Sequence, residues 1–143
     1  MHTYTVEFGD WKTLEHPASR VRLMVFVAEQ KVPLEEEIDA LDPLCTHFVA
    51  KDSHGMVVGC ARMTPTGHIG RVAVLKPFRG RGVGKIVLSA VLDYARAHGM
   101  KKLDLNAQTH ARGFYEAFGF VAEGDVFNEC GIEHIHMVRS EPV

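Results

Sequence analysis

Cysteine is scarce in this chain. Cys45, Cys60 and Cys130 are odd in number and far apart, which suits free thiols in a reducing cytoplasm. Long apolar runs are missing too: none approaches the ~20 residues that a membrane span needs. The opening stretch MHTYTVEFGDWK lacks the apolar core of a signal peptide, so a cytoplasmic location and no membrane partner are expected. Neither sign of charge dominates. Sixteen basic and 18 acidic residues leave a net charge of −2, which gives no general attraction to nucleic acid or to an anionic membrane. There is no internal repeat, low-complexity tract or linker. At 143 residues, a single domain over 1–143 is expected, long enough to bury roughly two-thirds of its unfolded surface.

The most informative stretch runs from His68 to His98. Its first part, HIGRVAVLKPF, is a strand candidate through its β-branched Ile69, Val72 and Val74. Its last part is a helix, because Val87, Leu88, Val91, Leu92 and Ala95 fall on one face. Between the two lie Gly80, Gly82 and Gly84, flanked by Arg79, Arg81 and Lys85. A strand, a glycine turn and a helix N-terminus together make an anion site. The first-turn N–H groups are unpaired and the helix dipole places about half a positive charge there. Glycine lets a phosphate approach the backbone without a Cβ in the way. The expected ligand is phosphorylated.

Spacing excludes two common phosphate ligands. A P-loop would need a glycine where Arg79 stands and a hydroxyl where Ile86 stands, so nucleoside triphosphate hydrolysis is not expected. A dinucleotide fingerprint would need its third glycine at Lys85, and no acidic residue follows a second strand at the ribose position. What remains, R-G-R-G-V-G, resembles the Q/R-x-x-G-x-G/A loop of the Gcn5-related N-acetyltransferases, which binds the pyrophosphate of coenzyme A. A second match follows about thirty residues later. Q-T-H-A-R-G-F-Y-E-A-F-G-F, from Gln108 to Phe120, resembles the family's N-x-x-A-x-x-F-Y-x-x-x-G-F, with Gln108 in place of the usual Asn. V-F-V-x-E-Q-x-V-P near the start and F-N-E-x-G-I-x-H-I-x-M near the end are similar to the ElaA-like branch.

The rest of the chain reads as follows. Tyr4 to Phe8 alternates as a strand. Pro17 to Gln30 reads as a helix burying Val21, Met24, Val25 and Ala28, stopped by Pro33. LEEEIDALDP gathers Glu35, Glu36, Glu37, Asp39 and Asp42 just after Glu29. These acids either form a solvated surface or face a cationic amine. Residues 46–52, 56–63 and 68–75 form an antiparallel meander. Strand 102–107, a helix over HARGFYEAF and two further strands complete the chain. His134 and His136 share a face of the final strand, but no further ligands lie at suitable spacing, and no metal is expected. An exposed final strand would offer an edge for a homodimer.

The resemblance implies an α/β fold (α+β by some schemes): a mixed, mostly antiparallel sheet of about seven strands flanked by helices, in the order β-α-α-β-β-β-α-β-α-β-β. It implies acetyl-CoA as co-substrate, with Val72, Ala73 and Val74 offering backbone to pantetheine. The N–H groups of Gly80, Arg81, Gly82, Val83, Gly84 and Lys85 would face the pyrophosphate, helped by Arg79 and other basic side chains, and Gln108 would contact the cofactor. Tyr115 would protonate the departing thiolate. The acceptor would be a small-molecule amine or a protein lysine. It must lose a proton to react, and Glu29 or His134 could take it. A non-catalytic acyl-CoA sensor is the alternative from another class.

Overall fold

The computed structural model describes residues 3–37 and 39–140. Its elements run β1 (Thr5–Gly9), α1 (Trp11–Arg22), α2 (Leu34–Glu37), β2 (Thr46–Lys51), β3 (Val57–Met63), β4 (His68–Val74), α3 (Val83–Ala97), β5 (Lys102–Gln108), α4 (Arg112–Glu116), β6 (Val121–Glu129) and β7 (Ile132–Ser140). The seven strands form one sheet in the order β1-β2-β3-β4-β5-β7-β6. Only the β4–β5 pair is parallel; every other neighbouring pair is antiparallel. The mixed sheet and the element order are those the resemblance implied. Among the described residues, no helix is long and apolar enough to cross a membrane.

Each face of the sheet has its own core. α3 buries Val83, Val87, Leu88, Val91, Leu92 and Ala95, the face its periodicity predicts. They pack with Phe48, Val58, Ile69, Leu103 and Met137. On the other face Leu14, Ala18 and Val21 of α1 pack with Val49, Val57 and Cys60. α1 covers only one end of the sheet, so the same face of β5 and β7 is left to line a cleft.

Three expectations are corrected. The first helix begins at Trp11, capped by the Asp10 carboxylate, which accepts a hydrogen bond from Thr13 N at 2.9 Å; Pro17 lies inside it rather than at its start. From Leu23 to Glu29 the helix continues in π form. The wider turn shifts the phase of the side chains, so Met24 and Ala28 face solvent while Val25 stays buried. Pro33 does not stop this helix; it precedes α2. The third correction concerns the sheet edge. β7, the final strand, is paired on both sides by β5 and β6, so the edge strands are β1 and β6.

Candidate active site

β4 and β5 pair at only two positions, His68 with Asp104 and Ile69 with Leu105. Beyond them the strands part, and the rest of β4 has no strand partner on that side. The other side of β4 is bulged: Arg62 faces Gly70 and Cys60 faces Ala73, so two steps on β3 match three on β4. Arg71, within the bulge, has a φ of 51°, a conformation costly for a residue with a Cβ. The parting strands open a cleft of about 910 Å³, lined by Val72, Ala73 and Val74, with Tyr115, Gln108 and His134 among the residues around them.

The glycine loop follows the open end of β4. Gly80 and Gly82 have φ of 77° and 83°, and Gly82 is the residue from which α3 starts. A Cβ added at either would meet no atom of the chain within 4 Å. These glycines are therefore required by backbone conformation, and the space beside them is open. The positive end of the 15-residue α3 begins immediately afterwards. A Cβ on Gly84 would come within 3.4 Å of Phe114.

The basic side chains divide. Arg79 lines the cleft; it donates through Nε to the Val74 carbonyl at 2.9 Å and through Nη1 and Nη2 to the Glu29 carboxylate at 2.6 and 2.8 Å. Arg81 stacks over the Phe78 ring at 5.6 Å. Lys85 lines a separate shallow groove with Val6 and Ser89. Of the loop, Arg79 and Gly84 belong to the lining of the cleft, whereas Gly80, Arg81, Gly82, Val83 and Lys85 do not.

Tyr115 is 8% exposed. Its ring meets Phe114 and Phe120 edge-on, with centroids 5.1 and 6.1 Å away. Burial pushes its hydroxyl pKa up to about 12, so the group stays protonated and can donate at any physiological pH. Gln108 is less free. Its amide donates to Gln30 Oε1 at 3.0 Å and accepts from Gln30 Nε2 at 3.3 Å, joining β5 to the end of the first helix.

The acidic stretch is neither simply solvated nor simply turned to the cleft. Arg22, 2% exposed, holds Glu37 at 2.6 and 2.9 Å and Asp42 at 2.9 and 3.0 Å. Arg62 bridges Asp42 at 2.8 Å and Asp39 at 2.7 Å, and Arg71 reaches the Glu37 carbonyl at 3.2 Å. Burial alone would raise the Asp42 carboxyl, but hydrogen bonds from Arg22 and Arg62 outweigh it and leave the group below its ordinary value. The three arginines thus clamp α2 and the following loop onto the sheet, forming one wall of the cleft. Sequence reading missed them, because their partners lie 15 to 35 residues away. The one local signal was a charged residue between buried positions on α1.

His134 is 9% exposed; its Nδ1 donates to the Ile132 carbonyl at 2.8 Å and its ring stacks on Phe127. His136 turns to other partners, donating through Nδ1 to Asn106 Oδ1 at 2.8 Å. Among the described residues, no group of three or more His, Cys, Asp or Glu is arranged to hold a metal.

Residues 17–141 match the family model described as an acetyltransferase (GNAT) domain. The chain is similar to YjcF of Bacillus subtilis, itself an uncharacterized N-acetyltransferase, at 41% identity over 122 residues, covering 83% of this chain and 87% of that protein. It is also similar to ElaA of Escherichia coli, at 32% identity over 147 residues, 91% of this chain and 95% of ElaA. The crystal structure of ElaA superposes with a TM-score of 0.86 at 28% identity, covering 96% of this chain and all (100%) of that one. An acyl-CoA N-acyltransferase from Pseudomonas aeruginosa superposes with a TM-score of 0.81 at 30% identity, covering 98% and 100%.

Proposed function

Since the chain belongs to the GNAT acetyltransferases, and is thereby an acyltransferase, we propose that it moves the acetyl group of acetyl-CoA to a primary amine by direct attack while both substrates are bound. One observation carries this reading: the parted β4 and β5 strands open a single cleft that Tyr115, Arg79 and Gly84 all line.

The chain's own groups fit the co-substrate. The open backbone side of Val72, Ala73 and Val74 would take the pantetheine amides as an added strand would. The N–H groups of the loop from Gly80 to Lys85 would receive the pyrophosphate, favoured by the α3 dipole. Acetyl-CoA supplies an activated thioester. A backbone N–H near the bulge would polarise its carbonyl. Tyr115, kept protonated by burial, would donate to the leaving sulfur.

A lysine-like amine has a pKa near 10.4, so about one molecule in a few thousand is reactive at neutral pH, and a proton acceptor is required. Glu29 and His134, the candidates the sequence offers, both line the cleft. The acceptor is a small-molecule amine or a protein lysine.

Thiol release from acetyl-CoA tests the reading, measured against butylamine, spermidine, lysine, an aminoglycoside and a lysine-containing peptide, with Tyr115→Phe run beside the natural chain. Amine-dependent release that collapses in the variant is the expected result. CoA binding without release from any amine would instead place the chain among sensors of the cofactor.

A further inference from the structure

A second group of titratable side chains sits at the start of β4, at the opposite end of the strand from the glycine loop. His68 donates from Nδ1 to Asp104 Oδ2 at 3.0 Å, across the two-residue stretch where β4 and β5 still pair. His136 of β7 brings Nε2 to 3.5 Å from the same Asp104 oxygen and to 3.5 Å from Glu123 Oε1 on β6. His68 lines the same cleft as Tyr115.

We propose that His68, oriented by Asp104, is the base that takes the acceptor amine's proton. This rests on the acetyltransferase reading above. By accepting from Nδ1, Asp104 fixes the tautomer and leaves Nε2 as the basic nitrogen. No described residue hydrogen-bonds that nitrogen. The carboxylate at 3.0 Å also stabilises the imidazolium as it forms, the arrangement that makes a histidine an effective proton acceptor in carboxylate-backed pairs.

The other candidates lack one of these features. Glu29 receives two hydrogen bonds from Arg79, which hold its carboxyl below the ordinary value. His134 donates to a neutral carbonyl and stacks on Phe127, and it forms no ion pair with a carboxylate among the described residues. Of the charged groups that line the cleft from β3, the bulge and the loop after α2, Arg62 and Arg71 both pair with Asp39. Asp104 is the carboxylate that His68 contacts, with His136 and Glu123 beyond it.

The proton balance needs such a group. In R–NH3⁺ + acetyl-CoA → R–NH–COCH3 + CoA–SH + H⁺, the amine nitrogen loses two protons. One ends on sulfur through Tyr115, which is reprotonated from the amide nitrogen. The other passes to His68 Nε2 and then to solvent. Asp104 is a positioning residue. His136 and Glu123, whose carboxylate side chain is 57% exposed, continue the line of titratable groups toward water.

The test compares the natural chain with His68→Gln, His68→Ala and Asp104→Asn, using acetyl-CoA and the amine of the panel that gives the fastest thiol release. His68→Gln is expected to lower kcat/KM a hundredfold or more at pH 7. The loss should shrink as pH approaches the amine's own pKa, and free imidazole should restore part of the His68→Ala rate. Nitrogen NMR of the free protein at pH 8 should show His68 protonated on Nδ1, and Asp104→Asn should erase that preference. A His68→Gln enzyme with an unchanged rate, or a loss that appears in His134→Gln instead, overturns this assignment while leaving the acetyltransferase standing. A natural chain that turns over no amine overturns both.

Discussion

Tyr115 and Glu29 show how neighbours set the chemistry of one residue. Removing only the hydroxyl in Tyr115→Phe keeps the edge-on ring contacts and should lower kcat by roughly 10²–10⁴ with CoA affinity retained; turnover and titration calorimetry separate the two. Because burial places the Tyr115 pKa near 12, the acid form persists as pH rises. The rate should therefore climb with amine deprotonation through pH 10, without a falling limb from this group, in a pH–kcat profile. Glu29 presents the opposite case. In the proposed complex it would compete with the pyrophosphate for Arg79, and a half-exposed ion pair of this kind contributes up to about 1 kcal/mol. Glu29→Gln should therefore tighten CoA binding by up to about fivefold, measured by titration.

At the scale of elements, the join between β4 and α3 is held by left-handed glycines. Gly82 begins α3 at a φ of 83°, where an alanine costs about 1–2 kcal/mol. No chain atom would meet the added methyl, so any crowding comes from the ligand. Gly82→Ala should weaken CoA binding about tenfold or more while lowering stability by about 1–2 kcal/mol; binding isotherms and thermal melts distinguish these effects. The π-helical end of the first helix is the counterpart on the other wall. It directs Glu29 and Gln30 toward the cleft, and a regular 3.6-residue repeat misassigns Met24 and Ala28 there. That repeat served well over α3, where no wider turn interrupts it.

At the scale of the whole molecule, the buried clamp of Arg22, Arg62 and Arg71 on Glu37, Asp39 and Asp42 ties the cleft wall to the sheet. Arg22→Met would leave buried Glu37 with only the Arg71 guanidinium at 3.6 Å, while Asp42 keeps Arg62, and a cost of about 3–5 kcal/mol is expected in denaturant unfolding. The net effect of the clamp holds the Asp39 and Asp42 carboxyls below their ordinary value, although burial by itself would raise them. Their contribution to stability is complete above the unfolded carboxylate pKa near 3.9 and is lost as pH falls through the lower folded values. Acid unfolding should accordingly set in below about pH 4, with a shallower slope in Asp42→Asn, followed by circular dichroism. By itself the sequence determined the strands, α3, the glycine turn and the family, because those signals are local periodicities and short motifs. Only the tertiary structure decided which acids are buried, that Glu29 meets Arg79 and that His68 meets Asp104. Those partners lie 15 to 50 residues apart, and strand pairing and helix packing, rather than any local pattern, bring them together.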